Sequence, residues 1–144
     1  MAHAFRRWSI AHPAEFSLMF GEAIPGVAVD DDACCETPSG VLSFCEAFLA
    51  ELVALWQHHR FQVPPPAVIS DRFAAQLSPY LRELSDEQPV DVVYAFLSGW
   101  IRLYGMVSME VFGHLSWAVT DAEALFETEI AAFLHQLTSA GDPG

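Results

Sequence analysis

From Val90 to Trp117 the chain carries no proline, and its only acidic, basic or imidazole side chains are Asp91, Arg102, Glu110 and His114. Wound at about 100° per residue, Val92, Val93, Phe96, Leu97, Trp100, Leu103, Tyr104, Val107, Val111 and Leu115 share one broad arc of a helix. The opposite stripe holds Asp91, Ala95, Ser98, Arg102, Gly105, Met109, Gly113 and Ser116, which are mostly small rather than charged. A helix that is apolar or small nearly all round belongs at the centre of a bundle, with neighbours on every side. A lipid bilayer tolerates its polar interruptions poorly. The segment therefore predicts the buried axis of a soluble helical domain.

The rest of the chain reads as shorter helices separated by proline and glycine. Ala2–Ala11 sets Phe5 and Trp8 against Arg6 and Arg7, and His12-Pro13 ends it because a residue before proline is pushed out of the α region. Pro13 can open a short helix to Phe20, stopped by Gly21. Pro25, Gly26 and the Asp30-Asp31-Asp32 run hold no period and predict a loop. Thr37-Pro38 reads as a cap and first turn for a helix to about His59. Ala67–Leu77 is the next, restarted or kinked at Ser78-Pro79 and continued through Leu84. The long segment runs from Pro89 to about Trp117, and Thr120-Asp121-Ala122-Glu123 matches a capping box that opens the last helix. The expectation is an all-α bundle of six to seven antiparallel helices with no strand.

With 144 residues, the chain fits one domain (1–144). Hydrophobic residues reach 53% and charged ones only 17%, against typical shares of about 45–50% and about 25%. One protomer's core cannot hide that surplus, so a partner subunit or a ligand must cover part of it. Six Arg, no Lys and nineteen acids leave a net charge of −13, and protonating every His still leaves the chain acidic. Gripping nucleic acid requires cations that displace counterions from phosphate, so this polypeptide is not a DNA binder by itself, and anionic membranes are disfavoured too. Cys34, Cys35 and Cys45 make a poor disulfide framework and suit a reducing, cytoplasmic setting.

Catalytic chemistry finds little support. Glu110 and His114 lie four apart and share a helix face, but a metal site needs three or four converging ligands. A helix-stabilising hydrogen bond accounts for the pair as well. Ser108 sits in no Gly-x-Ser-x-Gly elbow, and no dinucleotide or phosphate loop is present. The expectation is a non-enzyme without a cofactor. What stands out is aromatic density. Phe16, Phe20, Phe44, Trp56, Phe96, Trp100 and Tyr104, with His59 and Ser108 as polar groups, could wall an interhelical pocket, or the rings could be ordinary core.

Several stretches together resemble the C-terminal, effector-binding domain of TetR-type transcriptional regulators, in the group with the WHG C-terminal domain. They are Phe5-Arg6-Arg7-Trp8 through His12-Pro13-Ala14-Glu15-Phe16, Leu18-Met19-Phe20-Gly21, and Trp100-Ile101-Arg102-Leu103-Tyr104-Gly105, which falls at the Trp-x-x-x-His-Gly motif. Met106-Val107-Ser108-Met109-Glu110-Val111-Phe112-Gly113-His114-Leu115 and Asp121-Ala122-Glu123-Ala124-Leu125-Phe126 are similar to the group's continuation. Tyr104 replaces the motif's His, and no helix-turn-helix precedes Ala2.

The resemblance implies a homodimer in which the last two helices of each subunit form a four-helix bundle. Its expected interface is Ser98, Arg102, Gly105, Met109, Gly113, Leu125, Phe126, Ile130 and Phe133. It also implies a small, apolar or aromatic effector in the aromatic pocket, and DNA contact only through an N-terminal domain absent from this chain. Under this expectation the chain is the single C-terminal ligand-binding and dimerisation domain of a bacterial regulator that acts as a repressor. The alternative is a stand-alone helical interaction module whose apolar stripe docks a different protein.

Overall fold

The computed structural model describes residues 1–21, 39–59, 70–84 and 90–139, and among them every regular element is helical. Six helices follow in order: α1 (Ala2–Ala11), α2 (Pro13–Phe20), α3 (Ser39–His59), α4 (Asp71–Leu84), α5 (Val90–Val111) and α6 (Ala122–Ser139). The expected all-α bundle is the fold. The loop expected around Asp30–Asp32 and the Thr37-Pro38 cap lie outside the described residues.

The expected axis is α5, which packs against α1, α3, α4 and α6. Its two halves serve two cores. Near its start, Val92, Ala95 and Phe96 meet Leu49 and Leu52 of α3 and Phe133 and Leu137 of α6. Near its end, Leu103 and Val107 meet Phe5 of α1, Phe16 of α2 and Phe126 of α6. Late α6 residues thus face early α5 residues, as an antiparallel pair requires. Val92, Leu103 and Val107 are essentially sealed from solvent, and each such side chain stabilises the fold by roughly 1.5–3 kcal/mol. Helix α4 joins through the edge of the Phe73 ring, which meets Tyr94 at 6.2 Å.

The local signals held unevenly. His12 separates α1 from α2, and Gly21 ends α2 as its C-cap, both as the Pro13 and Gly21 punctuation predicts. The helix does not restart at Ser78-Pro79, because α4 is one element from Asp71 to Leu84. Leu77, 7% exposed, anchors that stretch in the interior, and tertiary packing overrides a local preference.

Helix α5 ends at Val111 rather than near Trp117. Gly113 adopts φ 71°, the left-handed conformation that glycine takes without a Cβ penalty. The His114 amide then donates to the Met109 carbonyl at 2.7 Å, and the Gly113 amide to the Glu110 carbonyl at 3.0 Å. Those two bonds are the paired closure of a Schellman C-cap. The apolar run continues past this stop into a series of turns, where Trp117 is 86% exposed. The cap of α6 also sits one residue later than the capping box implies. Asp121 Oδ1 accepts the Ala124 amide at 3.1 Å, so Asp121, not Thr120, is the N-cap.

Candidate functional site

A cavity of about 350 Å³ lies among α1, α3, α5 and α6. That volume sits at the small end of the roughly 300–1,000 Å³ range of ligand pockets. Its walls are mainly apolar: Phe48, Leu52 and Leu55 from α3, Leu103 and Met106 from α5, and Ile130, Phe133 and Leu134 from α6. Met1, Ala2 and His3 close it from the side of α1. Four polar side chains border it: Glu51, Arg102, Glu129 and His3.

Gly99 shapes the inner wall. A Cβ placed there would come within 2.9 Å of Phe133 Cζ and 3.4 Å of Phe48 Cζ, so a bare backbone lets both rings close on α5.

Helix α1 is fastened close to this cavity. Arg6 Nε donates to Glu110 Oε2 at 2.8 Å, and its Nη2 donates to Oε1 at 2.7 Å. This is the forked, two-bond arrangement that makes guanidinium–carboxylate pairs strong. Glu123 of α6 stands 3.8 Å from the same guanidinium, which also lies over the Phe126 ring at 5.3 Å. The hydrogen-bonded Glu110 carboxylate raises the Arg6 pKa further above its ordinary value, against a lowering by burial. One arginine therefore joins α1, α5 and α6.

That geometry corrects the Glu110–His114 reading. Glu110 is held by Arg6, and the Schellman stop places His114 beyond the helix in an exposed turn, so no i, i+4 face brings the two together. Among the described residues, no group of three His, Cys, Asp or Glu side chains is arranged to hold a metal ion.

The aromatic residues expected to wall a pocket come together in part. Phe16, Phe20, Trp100 and Tyr104 form a stacked cluster with Phe5. Ring centroids lie 5.0 Å apart for Phe16–Phe20, 5.7 Å for Trp100–Tyr104 and 5.8 Å for Phe5–Trp100. These rings fill one another's space and do not line the cavity. Phe96 and Trp56 belong to the other core, while the side chains of Phe44 and His59 lie outside the described residues. Tyr104, at the motif position where His is expected, donates its hydroxyl to the Phe20 carbonyl at 2.8 Å and so closes the end of α2. Ser108 Oγ is buried without a hydrogen-bond partner among the described residues.

The expected interface residues also separate. Arg102, Met109 and Gly113 are exposed, and Ser98, Gly105, Leu125 and Ile130 are half-buried. Phe126 and Phe133, 2% and 7% exposed, pack inside the protomer and leave the outer face to others. Ile101, 67% exposed, joins Met109 at 42% and Leu134 at 45% among the large apolar groups in water. Gly105 has open space where a Cβ would stand. Sequence reasoning missed the cavity lining of Glu51, Leu52, Met106 and Glu129. Of these, only Leu52 carries a signal, as an apolar residue of α3, and that cannot say where packing leaves a void.

The described residues form an all-helical bundle that wraps an apolar axis and leaves an apolar hollow between helices. The family described as Tetracyclin repressor-like, C-terminal domain, matches residues 1–133, and the chain belongs to it. Neither a curated protein nor a solved structure matches the chain. Helix α5, between Val92 and Val111, is long and apolar enough to cross a membrane, yet it forms the centre of the bundle.

Proposed function

We propose that this chain is the effector-sensing and dimerisation domain of a TetR-like, cytoplasmic bacterial transcriptional regulator acting as a repressor. A small, mostly apolar molecule enters the cavity, and DNA binding by an N-terminal helix-turn-helix unit is released or altered in response. The observation that carries this reading is the shared wall. The first turn of α1 lines the same cavity as α3, α5 and α6, so a guest there touches the helix nearest the proposed DNA reader. Such a guest shifts α1 only if it binds one placement of that helix better than another. Two-fold pairing through the outer faces of α5 and α6 converts the shift into a change of half-site spacing.

Thermal-shift and titration screening of the chain with neutral apolar compounds tests the reading. A ligand present at a hundred times its Kd raises stability by about 2.7 kcal/mol. Met106→Trp, which fills the cavity from a half-buried position, is expected to abolish that gain while the variant remains folded by circular dichroism. A gain that survives Met106→Trp and disappears in Trp100→Ala would move the site to the aromatic cluster.

A further inference from the structure

We infer that the cavity selects amphipathic ammonium compounds, with an apolar body between the helices and a protonated amine at Glu51 and Glu129; this rests on the cavity being the effector site. The two carboxylates reach it from different walls, exposed Glu51 from α3 and half-buried Glu129 from α6. Neither makes an ion pair or a hydrogen bond with any described side chain, whereas Glu110 and Glu127 are both paired. A cation that brings its own apolar surface suits this arrangement best, because its hydrocarbon body covers the wall and takes water from half-buried Glu129, where an ion pair is screened least.

The cations already at the cavity pair with neither carboxylate. Arg102 lies over the Phe133 ring at 5.6 Å and reaches Gln136 Oε1 at 3.4 Å. His3 Nε2 is 2.7 Å from Glu127 Oε1. The apolar lining, in turn, rejects small hydrophilic amines and rewards a hydrocarbon body by roughly 25 cal/mol per Å² removed from water.

Three probes of matched length, decylammonium, decanol and decanoate, titrated into the chain below their micelle concentrations, test the inference. Decylammonium is expected to bind about tenfold tighter than the other two, the equivalent of about 1.4 kcal/mol. Glu51→Gln and Glu129→Gln are each expected to erode that preference and leave decanol binding unchanged. Glu15→Gln, on exposed α2, is expected to change nothing, which separates the site from general attraction to an acidic chain. Equal binding of decanol overturns the charge inference and leaves the cavity reading standing. Tightest binding of decanoate, lost in Arg102→Gln, overturns it in favour of an anion. An ammonium preference that persists in the Glu51→Gln/Glu129→Gln double variant, or falls equally in Glu15→Gln, overturns it as well. Failure of all three probes removes the inference together with the effector site on which it rests.

Discussion

Arg6 and Glu110, 104 residues apart in sequence, meet through two hydrogen bonds of 2.8 and 2.7 Å, with side chains only 11% and 18% exposed. Removing one partner strands the other in a partly desolvated place. Arg6→Ala is therefore expected to destabilise the chain by roughly 2 kcal/mol, read as a lower urea midpoint. The double variant Arg6→Met/Glu110→Met leaves no stranded charge and should lose less than the sum of the single variants.

The two glycines on α5 should respond in opposite directions to the same change. Gly99→Ala drives a methyl to 2.9 Å from a buried ring, and overpacking at about 1–3 kcal/mol outweighs the helix-propensity gain of about 1 kcal/mol. Gly105→Ala meets open space and should stabilise the protomer by about 0.5–1 kcal/mol. Thermal melts of the two variants side by side give the signs.

Tyr104→Phe deletes the hydroxyl that closes α2 on the Phe20 carbonyl while keeping the ring in its stack. A loss of about 1 kcal/mol is expected. Amide exchange should quicken in α2 more than in α6, since only α2 loses its tie.

Cys45 is half-buried, and burial, with Glu46 next, raises its thiol pKa. A raised pKa means less thiolate at neutral pH, so maleimide labelling should be slower than for a free cysteine and should accelerate as pH climbs. A Cys34→Ser/Cys35→Ser background isolates the signal. Labelling at neutral pH as fast as a free thiol would contradict the prediction.

Self-association is expected through the outer α5–α6 face, where Ile101, Met109 and Leu134 meet water in the single chain. Light scattering at micromolar concentration should give a dimer, and Ile101→Asp or Gly105→Leu a helical monomer. A monomeric unmodified chain would favour docking to a different protein.

The boundaries of α2 were readable because His12-Pro13 and Gly21 act locally, whereas Pro79 does not end α4. The all-round apolarity of α5 places it at the centre. The end of α5 was not readable from hydrophobicity, since Phe112, Leu115 and Trp117 extend the apolar pattern beyond Val111, and the left-handed Gly113 with its two closing hydrogen bonds stops the helix. Thr120 and Asp121 compete for one cap, and geometry chooses the second. The site was harder still. Aromatic density near Trp100 signals rings but cannot tell whether they surround space or fill it. The actual void depends on how α1, α3, α5 and α6 meet. Arg6 and Glu110 were both visible, yet nothing in their separate neighbourhoods pairs them.

Helix α1 is pinned by Arg6 near its midpoint while its first turn borders a hollow. A rod about 15 Å long, held at its middle, pivots more readily than it slides. An effector that displaces Met1–His3 would therefore have to turn α1 about the arginine and release the tie from His3 to Glu127 of α6.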